Sequence, residues 1–505
     1  MPSSNDQVLD IHGKKYNRWL MFILLLIGTF AGMLMQTSLG TAIPTLMKAF
    51  DINLSTAQQA TTWFLLANGI VVPLSAYLMT RTSTKWLLFT AYALLLGGMT
   101  ITYLTPEDSN YWIMFLGGRI LAAIAVGITM PLMQVIAVNV FPENKRALAL
   151  GLGGLVVGMA PAIGPTLSGW ILDKDHVIFG INIVSSWRTI FIIPMIVITL
   201  VLLLTPFVMK DVIPNKKIKL DILSLVLSSI GFGLFLWGFT NVAMDGWSSM
   251  NSVILPIIAG TIFIILFVLR QLRLKEPFLD VRVFKVRNFT VTALIIILVT
   301  MAMYGVEMML PTYLQNVHGL SPLDSGLTLL AGALMMGLIS PIAGILYNKV
   351  GVRNLALVGL TILAIGTIPF VFLSATTPTI FITVLYAIRM AGIALTMMPL
   401  TTSAMNALPI EETTHGTAAN NTVRQLASSV VVALLTSITQ NIINTNSPAK
   451  AMKDTNPMEF ASKTIDASMD GFRVSFAVGL GFAVVGLIIT IFFLRAKKDN
   501  TGGAK

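Results

Sequence analysis

The sequence predicts an all-α polytopic membrane protein of fourteen transmembrane helices, arranged as two six-helix bundles plus two inserted central helices. Composition, the spacing of apolar runs and an internal repeat carry this expectation. Of 505 residues, 55% are hydrophobic and only 11% charged, whereas a soluble domain carries about 25% charged residues. A net charge of +11 would suit a nucleic-acid partner, but the basic residues flank apolar runs and form no stripe interleaved with aromatics. The lipid bilayer is therefore the expected surrounding, and nucleic acid is not an expected partner. Cysteine is absent, which excludes disulfides, thiol catalysis and cysteine metal sites.

A span takes roughly 20 mostly apolar residues. The start, "MPSSNDQVLDIHGKKYNRW", lacks the short apolar core of a cleaved leader, so the first apolar run reads as a retained span. Six spans are expected near 19–41, 57–79, 85–104, 112–140, 146–171 and 187–208. Two follow near 221–243 and 252–270, and six more near 289–316, 324–346, 354–374, 378–405, 417–445 and 471–494. Several exceed the bilayer thickness, as tilted helices do.

Lys and Arg set the orientation. With the N-terminus inside, the outer segments hold only Lys48, Lys174, Lys450, Lys453, Lys463 and Arg473. The inner segments hold twenty-three basic residues, among them Lys14, Lys15, Arg18, Lys145 and Arg146. The resulting division is a cytoplasmic tail 1–18, a first bundle 19–208, two inserted helices with cytoplasmic linkers 209–288, and a second bundle 289–495. The second bundle contains a long extracellular loop 446–470, and a cytoplasmic tail 496–505 follows it.

The repeat lies at an offset of about 268 residues. "PLSAYLMTRTSTKWLL" from Pro73 matches "PIAGILYNKVGVRNLA" from Pro341, with Arg81 and Lys85 answering Lys349 and Arg353. Pro44-Thr45 matches Pro311-Thr312, and Arg119 precedes Pro131-Leu132 much as Arg389 precedes Pro399-Leu400. Parallel halves of this kind can rock about a central site.

"GMAPAIGPTLSGWI" (158–171), with "FPENKRALALG", "LPTYLQNVHGLSPLDSGLTLLAG" and "NTVRQLASS", carries a resemblance to the major facilitator superfamily. The chain is most similar to its fourteen-helix drug:proton antiporters of the EmrB/QacA type, especially the lincomycin-efflux branch. In that stretch Gly154, Gly158, Gly164 and Gly169, with Pro161 and Pro165, remove side chains and backbone donors. Small residues let membrane helices approach closely and Pro bends them. The resemblance implies a close-packed hinge, the antiporter motif, and loop gating motifs at Arg81, Lys85, Asn348, Lys349, Gly351 and Arg353. Three departures stand out. The first gating loop has Ala76 and Thr80 where the family has Gly and an acid, and Asn348 replaces the acid of the second. Met35 occupies the position of a first-span acid, next to the retained Gln36. Ala122-Ala123 replaces a Gln-Gly pair after Arg119.

Four ionisable residues remain at membrane depth: Arg119, Glu307, Arg389 and Arg424. Such charges face protein or water, not lipid. Arg119 is read as a functional cation of the first half or a tie to helix carbonyls, and Arg389 is its repeat counterpart. Arg424, near the inner end of its span, is a weaker candidate that can snorkel to the cytoplasm. Glu307 is the one charge between Asn288 and Val317, and its repeat counterpart is Gly40. Burial disfavours a charged carboxylate, which suits a group that takes a proton outside and releases it inside. An anionic contact for a cationic drug and a rim position in the outer mouth fit the same residue.

The expected function is multidrug efflux: export of hydrophobic, often cationic compounds in exchange for protons, by a monomer in the plasma membrane. Export of an endogenous lipid, peptide or metabolite is the alternative. No HExxH, His pair within a span, or GxxxxGK[ST] loop is present, so no enzyme, cofactor, metal or nucleotide-driven pump is expected. Single cysteines at Ser3 and Thr501 are both expected to resist an impermeant thiol reagent in intact cells. Labelling of either from outside would overturn the fourteen-span topology.

Overall fold

The computed structural model describes residues 7–178, 181–213, 221–274, 277, 279–409, 412–448 and 452–494. The two positions proposed for labelling, most of the linker 209–220 and the tail 496–505 lie outside the described residues.

The first bundle comprises α1 (Arg18–Thr37), α3 (Leu54–Arg81), α4 (Thr84–Leu104), α5 (Trp112–Val140), α6 (Glu143–Asp173) and α7 (Thr189–Val208), with a short α2 (Ile43–Phe50) after α1. The inserted pair is α8 (Ile222–Asp245) and α9 (Leu255–Arg273). The second bundle comprises α10 (Arg287–Asn316), α11 (Pro322–Val350), α12 (Val352–Thr367), α13 (Thr379–Asn406), α14 (Thr413–Asn446) and α16 (Pro457–Phe493), with a short α15 (Met452–Thr455) between the last two. Among the described residues, twelve of the long helices have the length and apolarity to cross a membrane. The other two, α3 and α6, match them in length and pack among them.

Helix starts follow their capping chemistry. The Asn17 side chain accepts from Leu20 N at the start of α1, and Ser321 caps Asp324 N with Pro322 in the first turn of α11. Gly351, at φ +81°, separates α11 from α12 in a conformation that favours glycine. The equivalent corner between α3 and α4 has no glycine, and Ser83 caps Trp86 N instead.

Close packing depends on glycine in both halves. A Cβ on Gly98 would lie 2.6 Å from the Gly118 carbonyl of α5, and one on Gly359 would lie 2.7 Å from the Gly392 carbonyl of α13. The repeat thus places α4 on α5 and α12 on α13 in the same backbone-to-backbone manner, as small residues permit between membrane helices. The α8–α9 hairpin uses the same device: a Cβ on Gly260 would lie 2.7 Å from the Gly231 carbonyl and would also meet Phe235 N. At one end of the hairpin, Arg270 donates twice to Asp221, at 2.8 Å each. Near the other end, Ser55 of α3 and Ser437 of α14 donate to the adjacent carbonyls Thr240 and Phe239 of α8, so α8 covers the α3–α14 seam.

Three elements differ from the sequence reading. Residues 7–17, expected as a plain tail, contain a hairpin of β1 (Gln7–Leu9) and β2 (Lys15–Asn17), its turn held by Asp10 accepting from His12 N and Lys14 N. A second hairpin, β3 (His176–Ile178) with β4 (Ile181–Ile183), precedes α7. The expected long loop before the last span is largely helical. After Asn446 and the short α15, α16 begins at Pro457 and runs about 55 Å at about 1.5 Å per residue.

Gly260→Ala is expected to lower thermal stability by about 1–3 kcal/mol, because backbone atoms on the facing helix cannot step aside cheaply. Gly97→Ala, whose Cβ would meet nothing within 4 Å, is the control. Equal unfolding midpoints for the two variants would contradict this packing.

Candidate functional site

Arg119 on α5 is 1% exposed. Its Nη1 donates to the Met35 carbonyl of α1 at 2.6 Å and its Nε to the Ala60 carbonyl of α3 at 3.4 Å. The guanidinium lies 4.4 Å from the centre of the Phe64 ring. Arg389 on α13 repeats the arrangement at 0% exposure. Its Nη2 donates to the Ala302 carbonyl of α10 at 2.9 Å and its Nε to Thr367 Oγ1 at 2.8 Å, with Phe370 at 5.6 Å. Met35 and Ala302 are repeat counterparts on the first helix of each bundle. Both arginines are thus tied to helix carbonyls, and each keeps one buried Nη atom without a hydrogen-bond partner among the described residues.

The halves differ beside these ties. In the second, Glu307 of α10 is 5% exposed and interacts electrostatically with Arg389. Its carboxylate makes no hydrogen bond or ion pair among the described residues, although two tyrosines stand close. Tyr304, one turn back on α10, interacts with both Glu307 and Arg424. Tyr386, one turn before Arg389 on α13, interacts with both Glu307 and Arg389. Gln36 of α1 reaches across from the first bundle, its Nε2 donating to the Tyr304 hydroxyl at 3.1 Å. Its Oε1 has no partner among the described residues.

The structure therefore brings Gln36, Glu307, Arg389 and Arg424 into one cluster around Tyr304 and Tyr386, with Arg119 bound separately in the first bundle. Arg424 of α14 interacts electrostatically with Tyr304 of this cluster and donates to Asn421 Oδ1, one turn toward the inner end of its helix, at 3.5 Å. The tyrosines were missed by sequence reasoning, although each stands three residues before a charge, in "YGVE" and "YAIR", which places them on the same helical face.

The bundles touch along two seams, α3 with α14 and α6 with α11. Besides Gln36–Tyr304, hydrogen bonds between bundles among the described residues run from Gln58 Nε2 to Met308 O (3.1 Å), Leu54 N to Gln440 Oε1 (3.0 Å) and Ser429 Oγ to Thr62 O (2.8 Å). Two more run from Gln315 Nε2 to Thr41 O (2.9 Å) and from Thr166 Oγ1 to Gly326 O (3.1 Å). All lie between mid-helix and the face carrying the loop between α1 and α3. Toward the opposite face Gly337 of α11 is exposed. A Cβ on Gly326 would lie 2.8 Å from Pro165 O, whereas one on Gly337 would meet nothing within 4 Å among the described residues. Three helical turns separate these two glycines, so both point the same way.

The antiporter motif divides its labour within this seam. A Cβ on Gly164 would strike Thr37 Oγ1 of α1 in the same bundle, while one on Gly169 would strike the Pro322 carbonyl of α11 across the seam. The Pro165 carbonyl accepts from Thr41 Oγ1 at 3.1 Å. Of Gly154, Gly158 and Pro161, and likewise Asn348, only the helical backbone is described.

Each gating loop has ties within its own bundle. Asp211, which follows α7, accepts from Ser83 Oγ at 2.5 Å and from Lys85 N at 3.1 Å. An acid distant in sequence therefore binds the loop that carries Thr80 in place of the family acid and that begins beside Arg81. In the second loop, Arg353 Nη2 donates to the Ile491 carbonyl of α16 at 3.0 Å, while Lys349 is exposed just before Gly351. Among the described residues no group of acids and histidines is placed to hold a metal.

Two helical bundles that meet along two seams, around buried polar groups, define a membrane transporter of the two-bundle class. The chain belongs to the major facilitator superfamily, whose family model matches residues 25–432. It is 39% identical to the MFS-type transporter YcnB of Bacillus subtilis, over 97% of this chain and 98% of that one. It is 33% identical to the lincomycin resistance protein LmrB of Listeria monocytogenes, over 94% and 96% of the respective chains. In fold it is similar to a crystal structure of a bacterial homologue of the human lysosomal transporter Spinster, with a TM-score of 0.64, 14% identity, and coverage of 95% and 97%.

Gly169→Ala is expected to hold the α6–α11 seam apart, since the facing atom is backbone. An overpacking cost of about 1–3 kcal/mol shifts a two-state equilibrium by about 5–150-fold. A Gln58→Cys reporter, buried at 1% exposure in the other seam, should then label at least fivefold faster with an impermeant thiol reagent. Unchanged labelling would show that Gly169 does not set the closure.

Proposed function

We propose that the protein is a proton-coupled exporter of amphiphilic organic compounds, a fourteen-span secondary transporter of the plasma membrane with both termini in the cytoplasm. One observation carries the reading: among the described residues, the hydrogen bonds between bundles run from the Gln36–Tyr304 pair of the cluster toward one face, while toward the other face Gly337 of α11 is exposed. With the termini inside, the hydrogen-bonded face is the outer one. A solute from the cytoplasm or inner leaflet reaches Glu307, Gln36 and Tyr304 from below, while Gln58, Gln315, Thr166 and Gln440 close the path above. Rocking about the cluster exchanges the two openings.

Glu307 is the coupling group in this scheme. It is the one carboxylate at the cluster, it lacks a direct ion pair there, and it stands where two tyrosine hydroxyls and a guanidinium can accommodate either protonation state. The similar protein in Listeria monocytogenes is a lincomycin resistance protein, which supports an organic solute as cargo. Arg119 and Arg389 serve as fixed ties that hold the first helix of each bundle in register.

A potential of 100 mV is worth about 2.3 kcal/mol per charge moved, which sustains roughly a fiftyfold gradient of solute. Glu307→Gln keeps the shape and removes the titration. In reconstituted vesicles it should abolish pH-driven accumulation and retain counterflow of a neutral substrate. Unchanged accumulation and unchanged pH dependence across a compound panel would place the coupling elsewhere.

A further inference from the structure

The buried charges at membrane depth do not balance. Three guanidiniums, on Arg119, Arg389 and Arg424, stand at membrane depth with one carboxylate, on Glu307. Two of the guanidiniums are committed. Arg119 is held by two carbonyls and a phenyl face, and Arg389 by a carbonyl, a threonine hydroxyl, a phenyl face and the field of Glu307. Arg424 is half-buried and, among the described residues, donates only to Asn421 Oδ1, one turn back on its own helix, at 3.5 Å. Its other interaction is electrostatic, with the Tyr304 hydroxyl on α10. The same hydroxyl interacts with Glu307. Carboxylate and guanidinium therefore stand near one tyrosine without an ion pair joining them among the described residues.

A guanidinium at this depth needs acidic or carbonyl oxygens, and its planar fork matches a carboxylate. We propose that the central site takes zwitterionic amphiphiles, setting the substrate amine against Glu307 and the substrate carboxylate against Arg424, with Tyr304 between. This rests on the exporter reading above and narrows it. A simple lipophilic cation would gain Glu307 but would sit among cations that outnumber acids. A zwitterion satisfies both poles, and discrimination then comes from the repulsion as well as the attraction. In exchange, an incoming proton competes with the amine for Glu307, while Arg424 keeps its charge throughout. Arg424 thus sets specificity, and Glu307 sets coupling.

The test uses the full-length protein in vesicles and a matched pair of probes, norfloxacin and its methyl ester, which differ in the carboxylate. The quantity read is the ratio of transport efficiencies, zwitterion over ester. The parent ratio should exceed one. Arg424→Gln should lower it at least tenfold without moving the pH midpoint of exchange. Arg424→Lys, which keeps the charge and loses the fork, should fall between and serves if the glutamine variant is unstable. A parent that prefers the ester, or a ratio unmoved by either substitution, overturns the proposal. A parent that moves no member of a wider panel of amphiphiles overturns the exporter reading itself. Loss of pH dependence in Arg424→Gln would move Arg424 into the coupling step and likewise overturn the assignment of specificity to it.

Discussion

A guanidinium inside a bilayer must find oxygen in the protein, and each bundle is organised about one that does. Arg119 binds the Met35 carbonyl and Arg389 the Ala302 carbonyl, at repeat positions on α1 and α10. Helix carbonyls are ordinarily spent on the hydrogen bond four residues on, so an extra donor at the same oxygen ties two helices at a fixed height. That tie fixes which residues of α1 and α10 stand at the molecule's centre. Gln36 follows Met35 directly, and Glu307 lies just over one turn beyond Ala302. The family acid of the first span would have stood at the Met35 position, beside Arg119; here the acid stands in the other half, near Arg389. The architecture is two-fold while its charge is one-sided.

Much of this was legible in the sequence because hydropathy and cation placement act locally. The spans, the repeat and the four buried charges are all short-range signals, and the repeat placed Arg119 and Arg389 as counterparts. The partners were less legible because they are set by helix phase and by distant chain. Gly164 and Gly169 belong to one motif, yet five residues turn a helix by about 140°, so one packs inside its bundle and the other across the seam. Asp211 stands 126 residues from Lys85, and no local pattern announces it as the acid that binds the first gating loop. The outer turns of α16 read as loop because a solvated helix has no apolar stripe. Their support is an Asn456 cap and a Glu459–Lys463 pair of 2.8 Å, signals that hydropathy does not register.

The two seams are built with different chemistry. Along α6 and α11, backbone meets backbone through Gly169 and Gly326. Along α3 and α14, side-chain amides and hydroxyls cross to main-chain groups at Leu54 and Thr62. Glycine contacts either fit or clash, whereas glutamine and serine can follow a small displacement by changing rotamer. The first seam therefore defines the closed position, and the second tolerates the path toward it.

The inserted hairpin also makes the moving bodies unequal. Ser55 and Ser437 grip adjacent carbonyls of α8 from opposite bundles, so α8 cannot follow both when the bundles separate at that face. Its packing is more extensive against α14 than against α3, and beyond α9 a small core joins Phe267, Leu279 and Val283 to Phe289, Ala404 and Ala419 of the second bundle. The hairpin is thus cargo of the second bundle. Its contacts give the second bundle two helices more than the six that end in α7.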